Sequence, residues 1–402
     1  MNRAFWKAGH RPTLIASFLY FDLAFMVWVL LGPLAPAIVK QLHLMPGQKY
    51  LMVATPILAG ALLRVVNGLL VDRLGPKTTG AIGQCIVMAG LATAWLTHVS
   101  SYTGVMALGV VLGFAGASFA VALPLASRWY PPEHQGTALG IAGMGNSGTV
   151  LAALFAPMLA ARFGWQNVLG LVLIPLAIVF VVYLVLAKDA PNRPAVKSFA
   201  AYLTPLRTGD AWWFMLFYGV TFGGFSGLAS SLTLYFNDAY KLSPVLAGYC
   251  TAACVFAGSL VRPVGGATAD RIGGVKTLSF MYIAAAVLLV AISFGPPNVA
   301  TALALFVLTM LALGMGNGAV FQLVPQRFRL EIGVMTGLVG MAGGIGGFYL
   351  AYSFGVAKQA TGSYQASFLI FAGLALIALG GLSTIKRRWR TTWGAALQGV
   401  RV

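Results

Sequence analysis

The sequence predicts an all-α membrane protein of twelve transmembrane helices arranged as two pseudo-symmetric halves of six. Three observations predict it. Of the 402 residues 59% are hydrophobic and only 8% charged, with a mean hydropathy of +0.85, a balance foreign to water-soluble chains of this length. The apolar residues fall into twelve runs of about 20, the number a helix needs to cross a hydrocarbon core of about 30 Å. One pattern is also written twice. Ala59-Gly60-Ala61-Leu62-Leu63-Arg64, then Gly68, Asp72-Arg73 and Gly75, return as Ala257-Gly258-Ser259-Leu260-Val261-Arg262, then Gly266, Asp270-Arg271 and Gly273. Each matched pair lies 198 positions apart, as from Arg64 to Arg262, and a fixed offset of half the chain marks an internal duplication.

The expected spans are 13–39, 50–71, 78–97, 102–127, 136–161, 165–187, 212–237, 244–269, 275–295, 298–323, 333–356 and 363–385. They divide the chain into a first half, 1–187, a polar linker, 188–211, and a second half with a basic tail, 212–402. The first span carries Asp22 and lacks a small-residue cleavage site, so it reads as a retained helix rather than a signal peptide. In the repeat, Phe21 stands opposite Tyr218 and Phe25 opposite Phe222, whereas Asp22 meets Gly219 and has no acidic counterpart. Aromatic residues in membrane helices mostly pack or anchor; the repeat symmetry is what marks these as site candidates.

Spans 2 and 8 carry the duplicated motif. The Arg, the Gly four later and the Asp eight later share one helical face. A charge inside such a span costs ~2.5–3.5 kcal/mol even on the lenient insertion scale. Eight residues separate Arg64 from Asp72, which is about 12 Å at helical rise and near the midplane of the core. The repeat places Arg262 equally deep. The motif tails, with Asp72, Arg73, Asp270 and Arg271, read as short turns at the membrane border and as candidate gating loops.

Span 4 contains Gly113, Gly116, Ala117, Ser118, Phe119 and Pro124. Span 5 continues with Gly140-Ile141-Ala142-Gly143-Met144-Gly145-Asn146-Ser147-Gly148, and span 11 answers with Gly340-Met341-Ala342-Gly343-Gly344-Ile345-Gly346-Gly347-Phe348. Each Gly costs about 1 kcal/mol against Ala inside a helix, so this density needs a cause. Small residues four apart let membrane helices touch backbone to backbone. Bare backbone with one amide, Asn146, also suits a path for a small polar solute. Both readings stand on these residues alone.

The formal net charge is +18, which in a soluble chain would suggest nucleic acid. Here the charges alternate with the spans. Nineteen of the Lys and Arg fall on the side of the N-terminus, and five, Lys40, Lys49, Arg162, Lys241 and Lys358, on the other. The bias puts both termini in the cytoplasm of a multi-pass protein of the cytoplasmic (inner) membrane and excludes a nucleic-acid role. Lys386-Arg387-Arg388 with Arg390 should attract anionic lipid headgroups. The cysteines and histidines form no metal-ligand pattern and no catalytic constellation appears, so neither an enzyme nor a metal or cofactor site is expected.

The motif tail Gly68-x-x-x-Asp72-Arg73-x-Gly75-Pro76-Lys77 resembles the loop signature of the major facilitator superfamily. The glycine runs of spans 5 and 11, with one Arg on each of spans 2 and 8, resemble the nitrate/nitrite porter family over essentially the whole chain. That resemblance implies two arginines clamping the anion, aromatic residues of spans 1, 4 and 7 stacked around it, and glycine-rich helices as the signature. The matching positions are Arg64, Arg262, Tyr218, Phe25, Phe119, Phe222, Asn146, Gly145 and Gly346. One departure is Gly346-Gly347 in span 11, where span 5 has Asn146-Ser147.

The implied activity is secondary active transport of nitrate and nitrite by alternating access, in a monomer, as nitrate/nitrite exchange or proton-coupled uptake. A guanidinium suits the ion because it is planar, permanently charged and carries a fixed fork of donors. Asp22 is the candidate coupling residue, at roughly the depth of Arg64 and within possible contact of it; a fixed packing bond is the competing reading. A porter for another small anion, such as a monocarboxylate, would use the same arginine chemistry. A non-transporting receptor would need a soluble signalling domain, which these residues do not supply.

Overall fold

The computed structural model describes residues 3–191, 200, 203–328 and 331–394. Twelve helices in it are long and apolar enough to cross a membrane: α1 (Arg11–Leu42), α2 (Pro46–Leu74), α3 (Pro76–Leu96), α4 (Tyr102–Ser127), α5 (Ala138–Phe163), α6 (Trp165–Leu186), α7 (Gly209–Tyr240), α8 (Pro244–Ile272), α9 (Gly274–Ser293), α10 (Val299–Arg327), α11 (Ile332–Thr361) and α12 (Gln365–Thr391). Most outrun the expected apolar spans because a helix continues past the hydrocarbon border wherever polar residues allow it. An even number of crossings puts both chain ends on one face, hereafter the terminal face. Two turns on that face, α2–α3 and α8–α9, pass through Gly75 at φ +88° and Gly273 at φ +98°, a region that favours glycine. The duplicated motif therefore keeps a Gly at each turn.

Several helices break midway, which the apolar pattern did not foretell. α1 breaks between Trp28 and Leu31, α4 between Gly116 and Phe119, and α8 between Leu260 and Arg262, while α5 tightens into a 3-10 turn over Met144–Ser147. Proline accounts for two of these. Pro33 and Pro263 lack the N–H that would bond Val29 and Ser259, and the Val29 carbonyl accepts instead from Gly32 N–H at 2.9 Å. In α4 and α5 the breaks fall within runs of small residues.

The halves α1–α6 and α7–α12 meet closely along α2–α11 and α5–α8. A Cβ on Gly344 of α11 would lie 2.6 Å from the Ala61 Cβ, and one on Gly248 of α8 would lie 2.6 Å from the Ala153 carbonyl oxygen. On the face opposite the termini the two halves are also bonded. Lys49 pairs with Asp238, the Tyr364 hydroxyl donates to the same carboxylate at 2.7 Å, and the Tyr50 hydroxyl donates to Tyr364 at 3.1 Å. Towards the terminal face the halves part around a cavity of about 690 Å³.

Within each half, carboxylates tie the terminal ends together. Arg128 reaches Asp72 at 2.9 Å, and Asp210 receives Arg327 at 2.7 Å, Arg388, and the Trp389 indole at 2.8 Å. Much of the expected linker, 192–199 with 201 and 202, lies outside the described residues, as do Arg193, Lys197, Arg329 and Arg401.

Candidate functional site

Arg64 is fully buried at the seam between the halves. Its Nε donates to the Gly116 carbonyl of α4 at 3.2 Å, and its Nη1 donates to the Gly340 carbonyl of α11. Three aromatic faces surround the guanidinium carbon: Phe119 and Phe222 at 5.1 Å and Trp28 at 5.4 Å. Trp28 is itself fixed by donating its indole N–H to the Pro56 carbonyl at 2.7 Å. Ring faces attract a desolvated cation with ~2 kcal/mol or more. They offset only part of the burial cost, and among the described residues no acid completes the balance.

Arg262 stands at the first residue after the α8 break, half-buried in the wall of the cavity. Its Nη2 donates to the Tyr218 hydroxyl at 3.1 Å, and its guanidinium carbon lies 5.6 Å from the Phe321 ring. The equal depth expected from the repeat thus comes with unequal cover: Arg64 is sealed and Arg262 borders open space. Tyr218 stacks on Phe222 at 5.0 Å, and Phe321 meets Tyr218 at 4.9 Å and Phe119 at 5.9 Å. One continuous aromatic wall therefore joins the two arginines across the halves.

The unspent donors are decisive. Arg64 Nη2 and Arg262 Nη1 are buried without a hydrogen-bond partner, and the side-chain amides of Asn146 and Asn317 are buried with neither nitrogen nor oxygen bonded. Among the described residues no carboxylate pairs with either arginine. Buried polar groups normally find partners. One nitrogen on each guanidinium and both side-chain amides are thus left unbonded among the described residues.

The other expected residues take different places. Phe25 does not face Arg64; it packs behind Trp28 at 4.7 Å and against Phe21 at 4.3 Å. Gly145 and Gly346 lie in helix contacts. A Cβ on Gly145 would sit 2.6 Å from a Phe21 ring carbon, and one on Gly346 would sit 2.9 Å from the backbone of Gly219. Asp22 does not contact Arg64, contrary to what equal depth suggested, because helical phase turns it towards α5, where Ser147 donates to it at 2.7 Å. Of the gating loops, Asp72 binds Arg128 of the same half, Arg73 is exposed, and Asp270 lines the cavity. Arg271 is exposed, and Arg329, the repeat counterpart of Arg128 in sequence, lies outside the described residues.

Trp28, Phe321 and Asn317 were not anticipated. A signal for Asn317 existed in α10, where the repeat frame shifts to 201 positions, as Gly113 to Gly314 and Pro124 to Pro325 show. That frame sets Asn317 opposite Gly116, whose carbonyl binds Arg64.

Comparison with known proteins agrees with this architecture. Residues 16–351 match the Major Facilitator Superfamily. A probable nitrate/nitrite transporter, NarK2, of Mycobacterium tuberculosis is 34% identical over 88% of this chain and 91% of its own length. The chain belongs to the nitrate/nitrite porter family of the major facilitator superfamily. A Bacillus subtilis relative of this family, named nitrite extrusion protein, is 32% identical over 88% of each chain. A probable nitrate/nitrite antiporter, NarK1, of Thermus thermophilus is 30% identical over 90% of this chain and 88% of its own. The human organic anion transporter MFSD10 shares the fold at a TM-score of 0.68 and 17% identity, covering 93% of this chain and 99% of its own. The porter is accordingly a multi-pass membrane transporter and not an enzyme.

Proposed function

We propose that this porter carries nitrate and nitrite across the cytoplasmic membrane by alternating access, with the anion held between Arg64 and Arg262 and exchanged one for the other. The observation that carries the reading is the buried Arg64 and the half-buried Arg262, each with a buried unspent donor and neither paired with a carboxylate among the described residues. A trigonal oxyanion between them would accept from Arg64 Nη2 and Arg262 Nη1 while its faces meet Phe119, Phe222 and Phe321. Tyr218 holds Arg262 in place for this. The names of the relatives supply nitrate and nitrite as the ions of matching size and shape.

In this reading the terminal face is cytoplasmic, as the charge bias requires, and the structure is inward-facing. The cavity between α4, α5, α8, α10 and α11 then leads from Arg262 to the cytoplasm. The anion makes alternation conditional: unliganded, the two cations repel across the seam, and a bound anion lets the halves close around it. The test is nitrate binding and nitrate/nitrite exchange by purified protein in proteoliposomes. Arg64→Lys and Arg262→Lys keep the charge and lose the fork, so affinity should fall about a hundredfold in each. Near-native affinity in either would overturn the clamp. Competition by formate and acetate as strong as by nitrite would favour a monocarboxylate porter instead.

A further inference from the structure

Arg64 and Arg262 differ in cover, and Trp28 is the residue that makes the difference. It ends the first segment of α1 and is 1% exposed. Its indole lies in a slot between α2 and α4 that two glycines open: a Cβ on Gly60 would lie 2.8 Å from its Nε1, and one on Gly116 would lie 2.5 Å from its Cε2. The bond from the indole N–H to the Pro56 carbonyl, at 2.7 Å, keeps the ring from turning over in that slot. The ring lies 5.4 Å from the Arg64 guanidinium carbon and runs parallel to Phe222 of the other half, 6.4 Å away with the planes 8° apart. Gly116 also supplies the carbonyl that accepts from Arg64 Nε, so the slot and the guanidinium share a wall.

The second half repeats this slot in outline only. Phe225 stands opposite Trp28 and Gly258 opposite Gly60, and in the frame of α10 Asn317 stands opposite Gly116. Phe225 does pack on Gly258, where an added Cβ would lie 3.1 Å from its ring, but a phenyl has no N–H with which to bond a carbonyl. Asn317 brings a side chain where Gly116 has none. Among the described residues the one ring over the Arg262 guanidinium is Phe321, at 5.6 Å, and Arg262 stays half-buried. The unequal cover of the arginines follows the exchange of an anchored indole for an unanchored phenyl.

We infer that Trp28 is a positioning residue: anchored to Pro56, it holds the Arg64 guanidinium in one water-free orientation, so that Arg64 is the rigid jaw of the clamp and Arg262 the adjustable one. A donor that is already oriented loses little freedom when an anion arrives, and its charge acts more strongly where water is excluded. The inference rests on the transport reading for the identity of the anion alone.

The experiment uses the full-length protein, with two readouts. In the first, the purified protein reacts with phenylglyoxal, an arginine reagent, and modification of Arg64 and Arg262 is followed separately by peptide mass spectrometry. In wild type Arg64 should react at least about tenfold more slowly than Arg262, because its reaction waits on a local opening. Trp28→Phe, which keeps a ring and loses the N–H, should speed Arg64 about threefold or more, the worth of one hydrogen bond. Trp28→Ala should speed it about tenfold or more, since the ring face is lost as well. Phe225→Ala, the corresponding truncation in the other half, should leave the ratio of the two rates as in wild type. In the second readout, labelled nitrate exchanges against nitrite in proteoliposomes. The KM for nitrate should rise about threefold in Trp28→Phe and about tenfold in Trp28→Ala, with the maximal rate within about twofold, as for a contact that serves ground and transition states alike. Equal rates at Arg64 and Arg262 in wild type would overturn the assignment. So would an Arg64 rate unchanged by Trp28→Phe, or one raised as much by Phe225→Ala as by Trp28→Ala. If Trp28→Ala does not fold, Trp28→Phe carries both readouts. If wild type exchanges neither anion, the transport reading fails while the modification rates still decide the role of Trp28.

Discussion

Arg64 is held by ring faces and carbonyl oxygens, with no carboxylate paired to it among the described residues; in the proposed clamp the anion takes that place. Phe222→Ala removes one ring at 5.1 Å and opens space. Nitrate affinity should drop about tenfold, the worth of one desolvated cation–π contact, and acetate should begin to compete. Phe25→Ala, one layer back behind Trp28, should leave the selectivity among nitrate, nitrite and formate unchanged; competition assays on the two variants separate these outcomes. The arginines were legible in the sequence because a charge inside an apolar run is conspicuous. Trp28 was not, because which aromatic of α1 faces the seam depends on helical phase across a break at Val29 and Leu30. Phe321 escaped because neither repeat frame gives it an aromatic counterpart: it falls opposite Leu123 in the frame of the arginines and opposite Ala120 in that of α10.

At the scale of elements, the glycine runs act as contact surfaces. α11 is pressed against α7 at Gly343, where an added Cβ would lie 2.7 Å from the Tyr218 ring and 2.9 Å from the Phe222 ring, whereas one on Gly219 would meet nothing closer than 3.5 Å. Gly343→Ala should therefore displace both rings and the Arg262–Tyr218 bond, cutting nitrate exchange at least about tenfold. Gly219→Ala should exchange normally and keep its melting temperature. Flux and thermal unfolding in detergent check both. Helix number and order could be read from apolar run length alone. The breaks in α1 and α5 could not, since Pro33 lies four residues beyond Val29, and the α5 turn falls in a glycine run that no proline marks.

For the whole molecule, the bonds that hold the far face shut join one half to the other, while Asp72–Arg128 and the Asp210 cluster stay within a half. In the proposed alternation, opening outward must break Lys49–Asp238 and detach Tyr50 from Tyr364. Asp238→Asn weakens that closure by one charge-assisted bond, so the outward-open population should rise about tenfold. A cysteine replacing Ser230, buried against Gly32 across the same seam, should then react faster with a membrane-impermeant thiol reagent added outside. An unchanged rate would mean that the α2–α11 contact, rather than this cluster, keeps the far face closed.

The proposed clamp, whose arginines pair with no carboxylate among the described residues, also has an electrical consequence. Empty, the site carries two positive charges; loaded with a monovalent oxyanion, it carries one. A charge crossing the full field is worth ~2.3 kcal/mol per 100 mV, so an inside-negative potential pulls the empty site towards the cytoplasm more strongly than the loaded one. One-for-one exchange moves no net charge and should run at a rate nearly flat across potentials set with potassium and valinomycin. Net uptake requires the empty site to return outward against the field, and it should slow steeply as the inside becomes more negative.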